Sequence, residues 1–379
     1  MASTNGNSDG RGLLLAKIMR GPGELPIESI VEILVRAKKD ILDGGAADYK
    51  EVHLEALLQY ADTGLAACKD SGDAMTKAHL HGISGLVSMT LGALKRGADR
   101  FNCLSEALAE YLACVGLQGD VERLMPYMGH DTLRYFAMMH GMVARVAKDM
   151  FKCGPRPHYQ DNFERVALLE RETSQSVSLL ERAEVQGTWE YAHACSDAAD
   201  AKLILSRLLC KASTCYEARD LYIIVLEHSG LSKSDLADYV IISDAHHQLG
   251  LMEMELGHQY RQASVRSCWP ESARRCLLKS ASHLSEAVVH FREEAQIWED
   301  RYVRSKAGSK ADIDRYNALG NLGDAAHELE SIYRQLNIFA DEDTNGWRVA
   351  LEANQDYFKT HPGSFPRDTT LRKEWLAKD

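Results

Sequence analysis

The arrangement of apolar and polar residues along the chain predicts helices almost throughout. Apolar residues recur at intervals of three and four, the spacing of one face of an amphipathic helix. Alternating runs of Val, Ile and Thr are nearly absent, and the turn dipeptide Asn345-Gly346 has no strand pattern beside it. The windows 158–269 and 271–361 contain no proline, a residue that costs about 3 kcal/mol inside a helix. We therefore predict an all-α protein.

Stop signals divide this pattern into helical segments joined by short connections. Pro26 suits the first position of a helix, and Gly44-Gly45 ends the segment that it opens. Consecutive helices with short connections pack antiparallel. The predicted segments are 12–19, 26–43, 49–69, 73–96, 101–117, 130–152, 160–184, 187–210, 213–229, 233–262, 271–304, 310–337, 345–360 and 367–377.

The stretch Cys153-Gly-Pro-Arg-Pro157 is the strongest interruption of the helical pattern, because two prolines and a glycine fall within five residues. It predicts a bend in the array or a boundary between two lobes. We expect a disordered tail over 1–11 and an N-terminal helical lobe over 12–152. A C-terminal helical lobe over 158–362, continuous with the first, is expected to precede a tail with a short helix over 363–379.

One short motif recurs in the predicted helices: an acid, an alanine and, four residues after the alanine, an aromatic. An alanine and a ring at this spacing lie on one helix face. The alanine then admits a neighbouring helix and the ring fills the space beside it. Leu-Gly pairs at 91–92, 249–250 and 319–320 also indicate close helix contact, because an interior glycine costs about 1 kcal/mol against alanine. The four motif copies are Glu55-Ala56…Tyr60, Glu106-Ala107…Tyr111, Glu217-Ala218…Tyr222 and Glu286-Ala287…Phe291.

Leu-Gly on one helix followed by Ala-x-x-x-aromatic on the next resembles the tetratricopeptide (TPR) repeat, over residues 48–362. The stretch 317–333 is most similar, and Tyr357…His361-Pro362 resembles the proline that closes a repeat. The copies are irregularly spaced, whereas the family repeats about every 34 residues. The resemblance implies a degenerate TPR-like α-solenoid, which is an antiparallel array of helical hairpins with elongated helices. A non-repeating helical bundle is the alternative.

Composition and charge narrow the class of protein. Of the 379 residues, 45% are apolar and 26% are charged, as in soluble globular proteins. Apolar runs such as Leu221–Leu226 are too short to span a bilayer, and the first residues do not resemble a signal peptide. We predict a cytoplasmic protein, with the nucleus as the alternative, and no membrane partner. The net charge of -11 makes nucleic acid an unfavourable partner.

The nine cysteines are odd in number and scattered, and they include no Cys-x-x-Cys pair. Several fall within apolar helical stretches, where a thiol acts as a small hydrophobic group. This pattern favours reduced, buried thiols over a zinc site.

Two Glu-x-x-His pairs provide the catalytic alternative. Glu190 with His193, and Glu255 with His258, each place a carboxylate and an imidazole on one helix face. Two such pairs occur in di-iron helical bundles, so they define a rival function as a metal-dependent all-α oxidoreductase. The further glutamates that such a site requires are not identifiable, and no Ser-His-Asp signature, Walker loop or dinucleotide-binding glycine pattern occurs. We therefore predict no catalytic residue, no cofactor and no metal ligand.

A basic segment comprises Arg261, Arg266, Arg274, Arg275 and Lys279, interrupted only by Glu271. On an acidic protein, such a segment suits a phosphate or an acidic peptide. Charge balance against nearby acids is the alternative interpretation, and the sequence favours it; these acids are Glu293, Glu294 and Asp300.

The segment Asp341–Glu352 fits the calcium loop of an EF-hand at each required position. Arg348 stands at its eighth position, where a hydrophobic residue normally pairs with a second loop, and the chain has no second loop. We therefore favour an acidic turn into the last helix over a calcium site.

These observations favour a non-catalytic scaffold or regulatory protein over an enzyme. Stacked helical hairpins leave a concave groove that suits an extended peptide or a partner helix, so the predicted partner is a protein or a peptide. A regulator that senses a metabolite or peptide in the same groove is a third hypothesis. The sequence specifies neither the identity of the partner nor an oligomeric state.

Overall fold

The computed structural model describes residues 6–23, 25–43, 45–69, 73–125, 127–153, 159–209, 212–228, 236–305 and 310–339. Every regular element in these ranges is helical, so the predicted all-α fold class is confirmed. The α-helices are α1 (Gly6–Ile18), α2 (Ile27–Leu42), α3 (Glu51–Ala67), α4 (Ala74–Leu94), α5 (Gly97–Gly116), α6 (Gln118–Leu124), α7 (His130–Cys153), α8 (Tyr159–Arg182), α9 (Trp189–Leu209), α10 (Ala212–His228), α11 (Leu236–Arg266), α12 (Pro270–Ser305) and α13 (Lys310–Phe339). A 3₁₀ turn at Gly45–Asp48 precedes α3.

Helices that follow one another pack as antiparallel hairpins, most extensively α4 with α5, α7 with α8, α11 with α12 and α12 with α13. Their boundaries follow local signals. Asp73 precedes α4 and accepts a hydrogen bond from the Thr76 backbone amide at 3.0 Å, which satisfies one free amide of the first turn. These hydrogen bonds from Thr76 lower the pKa of Asp73. Pro270 occupies the first position of α12, where its missing amide proton costs nothing.

Two segments differ from the helices that the spacing of apolar residues predicts. Helix α6 was not predicted, because Gln118–Leu124 is a single short helix with a glycine at its second position. Contacts with other helices stabilise α6, since Val121 is fully buried and Gln118 is nearly fully buried. Helix α1 begins at Gly6, whereas the pattern indicates 12–19. The predicted helices over 345–360 and 367–377 lie outside the described residues.

The chain forms two units. The first is Met1–Gln186 with Asp200–Lys211, and the second is Gly187–Ala199 with Ala212–Asp379. Aliphatic side chains from α2, α3 and α4 fill the core of the first unit, whereas the α12–α13 interface supplies much of the core of the second. The lobe boundaries drawn from the sequence remain a prediction. Within the described helices, none is both long and apolar enough to cross a membrane.

Two hairpins, α4–α5 in the first unit and α11–α12 in the second, share one packing pattern. In the first, the Tyr111 ring lies against Gly85: a methyl group at Gly85 would come within 2.9 Å of the ring. In the second, the same change at Gly250 would come within 2.6 Å of Phe291. Only glycine at these positions lets the helices approach this closely.

The match extends about two turns further, toward the turn of each hairpin. Gly92 and Gly257 each stand seven residues after the first glycine and face the Leu that precedes the ring by seven residues, Leu104 and Leu284 respectively. The alanines of the motif, Ala107 and Ala287, are fully buried. Two copies of the recurring motif therefore mark one structural unit that occurs twice.

Candidate binding surface

The two Glu-x-x-His pairs do not form a common site. Glu190 is exposed, and His193 lies 3.7 Å from Asp197 on its own helix and edge-on to Trp189. Glu255 is also exposed and accepts a hydrogen bond from Gln259 at 3.1 Å. His258 instead donates to Glu328 on α13. No group of three or more His, Cys, Asp or Glu side chains suited to a metal occurs in the described ranges.

Two further histidines of the second unit, His247 and His283, contact carboxylates of neighbouring helices. Glu253 on α11 is fully buried and accepts hydrogen bonds from Arg219 Nε at 2.7 Å and from His283 Nδ1 at 2.6 Å. This carboxylate thereby joins α10, α11 and α12. His247 and Glu294 make a similar contact at 3.1 Å. In each contact the buried carboxylate is satisfied by hydrogen bonds from a neighbouring helix, so these groups stabilise the helix packing.

The one close pair of histidines in these helices lacks a carboxylate. The Nδ1 atoms of His246 and His290 lie 3.1 Å apart, so one ring donates to the other. Burial, with a smaller contribution from His290, lowers the pKa of His246 to about 4. Burial also lowers the pKa of His290. Both rings are therefore neutral at physiological pH.

A buried polar network crosses the first unit between α6, α7 and α8. His140 Nδ1 lies 2.6 Å from Glu172 Oε2, and its Nε2 lies 2.9 Å from the amide oxygen of Gln118, so each ring nitrogen has a hydrogen-bond partner. Burial opposes the charge on Glu172, but hydrogen bonds from His140 and Arg171 outweigh it and lower the pKa of this carboxyl. Gln118 donates in turn to Glu122 at 3.0 Å. The network links the short helix α6 to α7 and α8. No motif in the sequence predicted it.

The eight described cysteines form no disulfide. Cys68, Cys103, Cys114 and Cys195 are buried, and burial raises the pKa of the Cys114 thiol to about 11. A protonated, buried thiol is a poor nucleophile. Cys268 is exposed and lies in the turn between α11 and α12.

That turn carries the basic segment identified in the sequence. Ser264 Oγ donates to the Arg261 carbonyl at 2.6 Å in the last turn of α11, and the Ser267 hydroxyl donates to the Trp269 carbonyl at 3.2 Å. Pro270 then starts α12. The short turn leaves Trp269 projecting into solvent, with 74% of its surface exposed, and Val265 is 81% exposed.

Four exposed cations lie close to these apolar side chains in the sequence. Arg266 ends α11, whereas Arg274, Arg275 and Lys279 lie in the first three turns of α12, and all four are exposed. Arg275 and Lys279 are four residues apart and therefore neighbours on the helix surface, and so are Arg274 and the exposed Leu278. We name this the tip surface: Val265, Arg266, Trp269, Arg274, Arg275, Leu278 and Lys279.

Two of the three acids expected to balance this charge contact other residues. Glu294 is buried beside His247, and Asp300 accepts from Gln296 at 3.1 Å. None of the four tip cations forms an ion pair within the part of the chain that the structure describes. Lys279 lies 5.1 Å over the Tyr260 ring, which stacks on His283 at 5.3 Å. The tip surface thus carries four exposed cations, with Glu271 as the one acid of the sequence between Arg266 and Lys279, beside an exposed indole on a protein with a net charge of -11.

The other two predicted ligand sites provide no candidate surface. The Asp341–Glu352 loop lies outside the described residues. The groove expected between stacked hairpins remains a prediction.

Comparisons with known proteins give no family. No protein-family model matches the chain, and no curated protein matches it. Among solved structures, a de novo designed helical repeat protein, DHR64, is 11% identical, with a TM-score of 0.19; the match covers 85% of this chain and 98% of that one. The human IFIT1 dimer with PPP-AAAA is also 11% identical, with a TM-score of 0.13, and the match covers 77% of this chain and 72% of that one. Likenesses at these TM-scores carry no function over to this chain.

Proposed function

We propose that this protein is a non-catalytic helical scaffold that binds an acidic, partly apolar segment of a partner protein at the tip surface. The observation that supports the proposal is the set of four exposed, unpaired cations around Trp269 and Val265. Trp and Arg are the residues that most often dominate the energy of protein interfaces. An acidic segment with one or two large apolar side chains complements both the charge and the apolar area.

Charge also distinguishes this partner from nucleic acid. Binding of a nucleic acid is driven by many phosphate contacts along an extended basic surface. Here the cations occupy one turn and the first turns of α12, and the chain as a whole repels polyanions. A short acidic peptide fits this localised patch better than a long polyanion.

A peptide titration tests the proposal. The probe is a fluorescent 12-residue peptide of alternating Glu and Phe or Leu, and the matched probe has Gln in place of each Glu. We expect saturable binding of the acidic probe that weakens as salt rises. Trp269→Ala and the double variant Arg274→Gln/Arg275→Gln should each weaken binding about tenfold or more. The matched control is Arg96→Gln, an exposed arginine in the turn between α4 and α5.

Cys268 gives a second, positional readout of the same binding. Cys268 is exposed within the turn, so bound peptide should slow the alkylation of its thiol by iodoacetamide. Mass spectrometry of the peptide that contains Cys268 measures the rate of this alkylation. Equal binding of the Gln probe, unchanged binding by the tip variants, or an equally strong single-stranded oligonucleotide at this surface would each contradict the proposal.

The enzyme hypothesis is tested separately. Glu190→Gln and Glu255→Gln change two exposed side chains that have no common site, so the double variant should retain its fold and its peptide affinity. Stoichiometric iron or manganese in the purified protein that is lost in this variant would instead favour a metal-dependent oxidoreductase.

A further inference from the structure

A second candidate site lies in the first unit, far along the sequence from the tip surface. It is a cavity of about 550 Å³ between the end of α1, the following turn, α2 and α3. We name it the α1–α2 cavity; its lining includes Leu14, Lys17, Arg20, Ile33, Arg36 and Tyr60. Its volume lies within the range of about 300–1,000 Å³ that is typical of small-molecule sites.

The wall of this cavity is fixed by Tyr60. This side chain is fully buried, and its one hydroxyl proton is shared between the carbonyl oxygens of Lys17 at 3.0 Å and of Gly21 at 2.6 Å. Gly21 has a φ of +75°, a conformation that side chains disfavour, so the chain reverses directly after α1. The cavity is therefore held open by the fold of the unliganded protein.

The chemistry of the lining is divided between an apolar floor and a cationic rim. Leu14 and Ile33 are buried at the floor. Among the described lining residues, Lys17, Arg20 and Arg36 supply three cations, and Glu32, which lies 3.6 Å from Arg36, supplies the one carboxylate. Lys17 and Arg20 have no ion-pair partner among the described residues. Two unpaired cations beside an apolar hollow complement a molecule with one anionic end and one apolar end.

We propose that the α1–α2 cavity binds a small carboxylate attached to an apolar chain. Its carboxylate lies between Lys17 and Arg20, and its chain lies against Leu14 and Ile33. The inference is independent of the proposed function, because no residue of the tip surface takes part. It assigns the first unit a ligand of its own.

Calorimetric titration of the full chain with sodium decanoate, kept below its critical micelle concentration, tests this site. We expect saturable one-to-one binding. Decyltrimethylammonium has the same chain with the opposite charge, and acetate has the charge without the chain; both should bind at least tenfold more weakly. The double variant Lys17→Gln/Arg20→Gln should lose about tenfold or more in decanoate affinity, the effect of removing a charge-assisted hydrogen bond.

Two controls separate this site from general effects. Lys39→Gln removes an exposed cation of α2 outside the cavity and should leave the decanoate affinity unchanged. Arg274→Gln/Arg275→Gln, which should weaken peptide binding at the tip surface, should also leave the decanoate affinity unchanged. Because Lys17 and Arg20 are exposed, their replacement should preserve the helical circular dichroism spectrum. Absence of saturable binding, equal affinity for decyltrimethylammonium, or an unchanged affinity in a folded Lys17→Gln/Arg20→Gln variant would overturn the proposal.

Discussion

The hairpins α4–α5 and α11–α12 have the same interior and different ends. In both, a ring packs against a glycine of the facing helix, Tyr111 against Gly85 and Phe291 against Gly250. At the turn of the first hairpin, Lys95 forms an ion pair with Glu51. At the turn of the second, Trp269 is exposed among unpaired cations. The shared interior accounts for the packing of both hairpins, and the difference at their ends is the basis of the binding proposed for the tip surface.

A second difference lies one turn along the shared interface. His81 of α4 donates to Glu110 of α5 at 2.8 Å. The residues at the corresponding positions of α11 and α12 are His246 and His290, whose rings are 3.1 Å apart. The same position therefore holds a histidine with a carboxylate in one hairpin and a histidine with a histidine in the other. The two hairpins should respond differently to acid.

The largest effect is expected from removing the rings. Tyr111→Ala and Phe291→Ala each empty a fully buried site against a glycine, and we expect each to cost about 3–5 kcal/mol of unfolding free energy. Denaturant titration followed by circular dichroism measures this loss. If the unfolding free energy fell strongly in one variant and only slightly in the other, the two interfaces would not contribute equally to stability, which would contradict the comparison.

Acid should destabilise the second hairpin selectively. His246 has a pKa of about 4 in the folded protein and about 6.5 when unfolded, so the unfolded state binds more protons between these values. The stabilising effect of the neutral ring is complete above pH 6.5 and is lost as the pH falls to 4, by up to about 3 kcal/mol. Fluorescence can follow this loss, since all five tryptophans lie in the second unit.

A matched pair of substitutions sharpens this test. His290→Glu recreates the His81–Glu110 arrangement in the second hairpin and should reduce the acid-induced loss. Glu110→His creates the histidine pair in the first hairpin and should introduce acid sensitivity there, visible as faster hydrogen exchange in α4 and α5 below pH 6. If neither variant changes the pH profile, the histidine pair is not its cause.

Enlarging the alanines of the motif should have an intermediate effect. Ala107 and Ala287 are fully buried, so Ala107→Leu and Ala287→Leu overpack the interface and should cost about 1–3 kcal/mol each. Ala109→Leu on the same helix is the control, because Ala109 is exposed and should tolerate the change. Thermal unfolding measures all three variants. Neutral effects at both buried positions would remove the physical basis of the recurring motif.

The smallest effect concerns one hydroxyl. The buried Tyr111 Oη has no hydrogen-bond partner among the residues described, whereas Phe291 occupies the matching position without a hydroxyl. Tyr111→Phe removes an unsatisfied polar group and should be neutral or stabilise the protein by about 1 kcal/mol. A clear destabilisation, measured by denaturant titration, would show that the hydroxyl is paired after all.

Helix positions were largely predictable from the sequence because proline, glycine and apolar spacing act locally. The predicted segment 130–152 corresponds to α7, and 271–304 corresponds to α12. Helix α6 was missed because its burial depends on contacts with α4, α5 and α7 rather than on its own seven residues. The Leu-Gly pairs at 91–92 and 249–250 correctly indicated close contacts, but the partner rings and the further glycines appear only when two helices are paired.

The candidate site was only half predictable. The basic segment was visible in the sequence, yet charge balance with Glu294 and Asp300 was the favoured interpretation. Whether cations are compensated depends on which acids fold next to them, and Glu294 turned out to be buried beside His247. The α1–α2 cavity left no sequence signal, since Lys17, Ile33 and Tyr60 belong to three helices.

A charge swap at the tip surface tests the central claim most directly. In Arg274→Glu/Arg275→Glu, the acidic 12-residue probe should lose its affinity, and a probe with Lys in place of each Glu should now bind. Arg96→Glu/Lys39→Glu makes the same change in net charge on exposed residues of the first unit and should preserve binding of the acidic probe. An acidic probe that still binds the Arg274→Glu/Arg275→Glu protein, or that both double variants weaken equally, would contradict recognition at this surface.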